Sequence, residues 1–127
     1  DKIEARMLYI QNQNVIYPIQ CAKVSHILAS NRSMEVCLNN GGKYPVRYVT
    51  LQQLLEAADV WYFLQCSRSG IINANYVRNI DYTNRVITMC NSDQIAIGST
   101  YVRSLHEQFP TMQELWQRRQ NRCMFFE

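Results

Sequence analysis

The sequence has little excess charge and no long apolar run. Of its 127 residues, 13 are Lys or Arg and 10 are Asp or Glu, which leaves a net charge of +3. This excess does not by itself identify a nucleic-acid binder. No stretch approaches the roughly 18 apolar residues of a membrane helix, and the first residues do not form a secretory signal. These absences predict a soluble chain that folds as one domain over residues 1–127.

The cysteines and histidines do not form a metal-binding pattern. Five cysteines are widely spaced, without a C-x-x-C motif or a neighbouring histidine. Four of them lie in apolar, strand-like segments, where a reduced thiol acts as a small hydrophobe; we therefore expect a reducing cytoplasm. His26 and His106 are predicted to be packing residues. Carboxylates occur singly and no P-loop is present, so we expect neither an enzyme nor a cofactor.

Short strand patterns dominate the chain after a polar lead-in. "MEVCLN" alternates apolar and polar side chains, and "NNGG" (Asn39–Gly42) supplies residues suited to a hairpin turn. The returning strand contains Pro45, which favours a sheet edge. Between Val77 and Gly98, three short strands separated by Asn- and Asp-containing turns predict a meander. The fold class predicted is mainly β, with stacked antiparallel sheets.

Three helical segments complete the pattern. "TLQQLLEAA" predicts a short helix with Thr50 as N-cap and an end near Asp59. From Thr100 a helical period runs to Pro110, and "TMQELWQRR" follows with Thr111 as N-cap and Glu114 three residues later. The tail, residues 111–127, holds three aromatic side chains that either pack on the body or form a partner surface: Trp116, Phe125 and Phe126.

The order of these elements resembles the LytTR DNA-binding domain of bacterial response regulators over roughly residues 14–109. The central family signature is approximately F-x-R-x-H-R-S-x-x-V-N, and the closing one includes S-R-x-Y before a helix. Matching residues of the first are Phe63, Cys66, Arg68, Ser69, Ile72, Asn73 and Ile80, and of the second Asn91, Ile95, Ile97, Tyr101 and Leu105. The chain departs from the pattern with Gln65 in place of arginine, Ser67 in place of histidine, and "GST" (Gly98–Thr100) in place of the Ser-Arg pair.

The resemblance implies that three loops contact one side of a DNA duplex. The predicted DNA-binding residues are Asn31, Arg32 and Ser33 in the first loop, Ser67, Arg68 and Ser69 in the second, and Ser99 and Thr100 in the third. Serine and threonine before a helix are also common N-caps, and Asn31 and Ser33 are also ordinary turn residues. Phosphate contacts are considered for four further cations: Lys43, Arg47, Arg78 and Arg103. Asn73 is assigned to a structural turn.

Arg68 is the residue most suited to reading sequence. It precedes an apolar run that would anchor the next strand in the core. The guanidinium would then project outward from a rigid position at the rim of the sheet. Arginine can donate two parallel hydrogen bonds to O6 and N7 of guanine. The alternative is a solvated surface ion pair with a nearby carboxylate, which would contribute little.

The function expected from this resemblance is a sequence-specific DNA-binding output domain of a bacterial transcription regulator. A domain of this size contacts few base pairs, so we expect a homodimer on repeated half-sites. A receiver or sensor domain upstream of Asp1 is also considered. The alternative is a protein-interaction or ligand-sensing module on the same fold, with DNA binding weakened or lost. The two differ in salt response, because phosphate contacts make DNA affinity steeply salt-dependent.

Overall fold

The computed structural model describes the backbone of residues 6–126 and the side chains of residues 6–121. Within that range the chain forms ten strands in three antiparallel sheets and three α-helices. The strands are β1 (Met7–Asn12), β2 (Val15–Gln20), β3 (Val24–Ser30), β4 (Ser33–Leu38), β5 (Lys43–Arg47), β6 (Phe63–Ser67), β7 (Gly70–Asn73), β8 (Val77–Asp81), β9 (Val86–Met89) and β10 (Gln94–Ala96). The helices are α1 (Leu51–Ala58), α2 (Val102–Gln108) and α3 (Met112–Phe126). The predicted fold class, mainly β with stacked antiparallel sheets, is confirmed.

A five-stranded sheet in the order β5-β4-β3-β7-β6 forms the centre of the fold. The predicted hairpin joins β4 to β5, with Gly41 at a φ of +96°. That backbone conformation is open to glycine without steric cost. Pro45 lies on β5, the edge strand of the sheet, where its missing N–H costs no ladder hydrogen bond.

The two faces of the central sheet bury separate cores. The first core lies towards β1, β2 and α1, and includes Ile27 and Ile71. The second lies towards the meander and α2, and includes Ile72 and Leu105. Successive side chains of a strand point to opposite faces. A short strand such as β7 therefore joins both cores, and the fold is a stack of three sheets.

The first strand was not expected. The predicted polar lead-in contains β1, which pairs with β2 from Met7↔Gln20 to Asn12↔Val15. Ile10 and Ile19 are buried in the first core, so apolar burial outweighs the polar residues at the end of β1. The sequence analysis described this segment only as a polar lead-in and did not predict a strand at residues 7–12.

The predicted helix ends are largely confirmed. The Thr50 hydroxyl accepts from the Gln53 amide at 3.1 Å, and the Gln53 side-chain oxygen accepts from the Thr50 amide at 3.0 Å. Helix α1 ends at Ala58, and its C-cap Asp59 adopts a φ of +48°. Thr111 accepts from the amide of Glu114 at 3.1 Å, which stabilises the first turn of α3.

The predicted aromatic tail is only partly described. Trp116 on α3 is exposed, and the side chains of Phe125 and Phe126 lie outside the described residues. None of the described helices combines the length and the apolar character needed to cross a bilayer.

Candidate nucleic-acid interface

Two backbone hydrogen bonds bring the three predicted loops together at one end of the central sheet. The amide of Ala29, beside the β3–β4 turn, donates to the carbonyl of Ser69 in the β6–β7 turn at 2.8 Å. The amide of Gly98 donates to the carbonyl of Cys66 at 2.9 Å. The β6–β7 turn therefore lies between the other two segments, and the three form one continuous edge.

The β3–β4 turn presents Arg32. Asn31 adopts a φ of +54°, a conformation that asparagine tolerates better than most residues. The hydroxyl of Ser33 donates to the carbonyl of Ser30 at 3.3 Å, so it is used inside the turn. Asn31, Arg32 and Ser33 are all exposed.

The β6–β7 turn holds Arg68 at its tip. The hydroxyl of Ser67 accepts from the amide of Ser69 at 3.2 Å. At Gly70 a Cβ atom would lie 3.0 Å from the Ser67 oxygen and 3.3 Å from the Cys66 sulfur, so the turn is tightly packed at its base. Arg68 and Ser69 are exposed, whereas the residues that follow Gly70 are buried. The turn is therefore compact, and the Arg68 side chain extends outward from it.

The segment at residues 98–100 packs closely on the β6–β7 turn. A Cβ atom at Gly98 would lie 3.1 Å from Tyr101 Cδ2 and 3.4 Å from Ser67 Cα, which favours glycine here. Ser99 and Thr100 are exposed at the start of a 3-10 turn. Neither caps α2, because its N-cap is Tyr101 and no side chain bonds there. Their predicted alternative role as plain N-caps of α2 is therefore wrong.

The two arginines at the loop tips have no acidic partner in the described part of the chain. No described carboxylate lies within 4.0 Å of Arg32 or Arg68. The only contact of this length between a basic and an acidic side chain among the described residues joins His26 to Asp93. The surface ion pair considered for Arg68 is therefore not formed with any described residue. A shallow concavity of about 590 Å³ lies between the β3–β4 turn and the loop before α1, and both arginines line it.

A model of the LytTr DNA-binding domain family matches residues 14–110 of the chain. The chain belongs to the LytTR family. Members of this family are DNA-binding domains, which supports DNA as the partner in general terms.

A solved LytTr DNA-binding domain from Bacillus cereus has the same fold. Its TM-score against this chain is 0.70 at 18% sequence identity, over 84% of this chain and 98% of that one. No curated protein matches the chain in sequence. The structural likeness therefore shows that the chain has the LytTR fold, and the family match shows that it belongs to the family.

The departures from the LytTR signature have local structural roles. Gln65, in place of arginine, donates from Nε2 to the carbonyl of Ser67 at 3.0 Å. Ser67, in place of histidine, accepts within the same turn. Both side chains therefore stabilise the β6–β7 turn that holds Arg68.

Two further residues from the sequence analysis also have structural contacts. Asn73 is buried, donates to the carbonyl of Val24 at 2.8 Å and accepts from the Asn75 amide at 2.9 Å, so its structural assignment is confirmed. Arg78 donates to the carbonyl of Cys90 at 2.6 Å. Its guanidinium holds the meander, and a phosphate contact would have to compete with that bond.

The structure also forms a polar cluster that sequence reasoning missed. His26 is buried, with Ser25 Oγ 3.0 Å from its Nδ1 and Asp93 Oδ2 3.6 Å from its Nε2. His26 was predicted to be a packing residue; its ring is buried, and it also makes these polar contacts. Burial lowers the pKa of His26, and this outweighs the opposing effect of Asp93. Ser25 is fully buried, so no substrate can reach its hydroxyl, and the cluster joins β3 to the meander.

His106 was predicted to be a packing residue and lies at the surface instead. Its imidazole stacks on the Tyr82 ring, with centroids 3.9 Å apart. The described residues contain no cluster of His, Cys, Asp and Glu that could hold a metal ion. The loop before α1 and the first turn of α1 also border the concavity, through residues that the sequence analysis did not select for DNA contact: Tyr48, Thr50 and Gln52.

Proposed function

We propose that this LytTR domain is the output module of a bacterial transcription regulator and reads the major groove with its three adjoining turns. The observation that carries the proposal is the pair of hydrogen bonds, Ala29 to Ser69 and Gly98 to Cys66, that aligns the turns along one edge. An edge of this kind can follow a groove, whereas turns on opposite faces could not.

Each turn has a different part in the contact. Arg68, on the compact central turn, donates to a guanine edge, because its planar fork matches O6 and N7. Arg32 contacts a base or a phosphate beside it, with Asn31 and Ser33 in the same turn. The hydroxyls of Ser69, Ser99 and Thr100 donate to phosphates and set the register of the domain. Ser67 supports the central turn.

Selection from a random duplex library followed by fluorescence anisotropy tests this function. The selected duplex and a scrambled duplex are titrated between about 50 and 200 mM salt, where several phosphate contacts weaken affinity steeply. We expect tighter binding to the selected duplex and a strong salt dependence for both. Selection that yields no preferred sequence would contradict base reading by the turns.

Arg68→Ala and Lys23→Ala form a matched pair for the same assay. Both remove one positive charge, but Lys23 precedes β3 at the end opposite Asn31, about 20 Å away at the usual rise per residue. We expect Arg68→Ala to lose the preference for the selected duplex and Lys23→Ala to retain it. If both variants lose the preference equally, net charge determines binding and the position of Arg68 does not.

We further propose that two copies bind repeated half-sites and meet through the β1–β2 hairpin. Residues 7–20 contain no charged side chain, and the hairpin exposes Tyr9, Val15 and Ile16. Two copies of an uncharged face can meet about a two-fold axis without opposing like charges. A second copy is therefore the partner that fits this surface.

Cooperativity on a two-site duplex tests the hairpin contact. Ile16→Lys places like charges across the two-fold axis, so we expect cooperative binding to fall while affinity for a single half-site is unchanged. Thr83→Lys, at an exposed position between β8 and β9, is the matched control. If self-association persists and DNA binding is absent, the domain acts as a protein-interaction module.

A further inference from the structure

We propose that Tyr48 is a fourth DNA contact, whose hydroxyl donates to a backbone phosphate beside the β3–β4 turn. The inference rests on the proposed function, because it places the same duplex against the same edge of the molecule. It extends the interface from the three turns to the loop that joins β5 to α1.

Strand register places Tyr48 next to the proposed DNA-binding turn. Arg47, the last residue of β5, pairs with Ser33 at the start of β4. Tyr48 follows directly and lines the concavity that Arg32 and Arg68 also line. A phosphate lying against the two arginines in this concavity would therefore also lie beside Tyr48.

The conformation of Tyr48 is unusual for a residue without a binding role. The residue is 96% exposed, and its φ is +65°, in a region that bulky side chains seldom adopt. Its ring makes no aromatic contact and its hydroxyl no hydrogen bond with any described residue. The Thr50 capping box that follows fixes the start of α1 and so restrains the loop. The fold thus directs an aromatic ring outward without using it in the core.

A phosphate is the ligand that best fits this side chain. Phosphate oxygens accept hydrogen bonds from tyrosine and arginine in protein–DNA complexes, and such contacts set register without reading sequence. The phenol is neutral, so its contact releases no counterion and leaves the salt dependence of binding unchanged. These two properties separate the role of Tyr48 from that of the arginines.

Tyr48→Phe tests the hydroxyl directly. Loss of a hydrogen bond to a charged group is expected to weaken binding about 10-fold, equally on the selected and the scrambled duplex and with the same salt slope. Tyr76→Phe, at a half-buried tyrosine that follows the end of β7 opposite Gly70, is the matched control and is expected to bind as the wild type does. Tyr48→Gly removes the ring and relieves the left-handed backbone. It should lower affinity at least as much as Tyr48→Phe, while Tm stays the same or rises.

The outcomes distinguish this inference from the proposed function. If the wild type binds the selected duplex, Arg68→Ala loses its preference and Tyr48→Phe binds normally, Tyr48 is not a contact and the three-turn proposal stands. If Tyr48→Phe changes sequence preference, the hydroxyl contacts a base and the phosphate assignment is wrong. If the wild type binds neither duplex at low salt, both proposals fail.

Discussion

Ile71 and Ile72 are neighbours on β7, yet each is fully buried in a different core. Ile71 packs towards α1 and the β1–β2 hairpin, and Ile72 packs towards the meander and α2. The same strand begins at Gly70, the base of the turn that carries Arg68. The position of this arginine therefore depends on both cores at once.

Truncation of either isoleucine is expected to destabilise the whole domain. Ile71→Ala and Ile72→Ala each leave a cavity in a closed core, which costs about 2–5 kcal/mol in the free energy of unfolding. Urea denaturation followed by circular dichroism measures the change. Leu28→Ala, on the adjoining strand β3 at a position 36% exposed, is the control and should lose much less. Equal losses at all three positions would contradict the full burial of the two isoleucines.

Local patterns predicted most of the fold because its strands are short and the turns between them contain residue types typical of turns and caps. The "NNGG" turn, the edge Pro45 and the Thr50 cap each depend on residues within a few positions. Strand β1 was missed because its burial depends on pairing with β2 and on packing of Ile10 in the first core. Its own Gln11 and Asn12 favour a polar segment when taken alone.

The candidate site was harder to predict because long-range contacts assemble it. Sequence comparison could select the three loops, but the bonds from Ala29 to Ser69 and from Gly98 to Cys66 join segments far apart in the chain. Tyr48 carried no motif and becomes a candidate only through the pairing of Arg47 with Ser33. The contact between His26 and Asp93 likewise joins two elements whose proximity no local pattern indicates.

Stability is expected to fall as pH falls through the ordinary titration range of histidine. Burial lowers the pKa of His26 below its usual 6.5, so the unfolded chain binds the proton more readily than the folded one. Stability is therefore full above about pH 6.5 and decreases as pH falls towards 5. Urea denaturation at pH 5 and pH 8 measures this difference.

His26→Gln should reduce the pH dependence of the free energy of unfolding between pH 5 and pH 8. His106→Gln is the control, because that ring lies on the surface against Tyr82 and not in the polar cluster. A His26→Gln variant that keeps the full dependence would show that another group causes it.

Thiol reactivity should follow burial. Cys37 and Cys66 are buried, and burial raises the pKa of each thiol to about 11, so few thiolates form near neutral pH. Burial also raises the pKa of Cys21. Among these and Cys90, we expect Cys90, the exposed thiol, to react first with iodoacetamide at pH 8. Peptide mapping by mass spectrometry measures the order, and rapid labelling of Cys66 in the native protein would contradict the packing of the second core.

Arg68→Lys distinguishes base reading from simple attraction to phosphate. Lysine keeps the positive charge but replaces the planar fork with a single ammonium group. If Arg68 donates two parallel bonds to guanine, the variant should lose about 1–3 kcal/mol of discrimination between the selected duplex and one with that guanine replaced. Its affinity for scrambled DNA and its salt slope should stay close to those of the wild type, because the charge near the backbone is retained. Anisotropy on the three duplexes measures both quantities.

Arg32→Lys in the neighbouring turn is the matched comparison. If Arg68→Lys retains full discrimination, the turn attracts DNA by charge alone, and the base would have to be read from the β3–β4 turn.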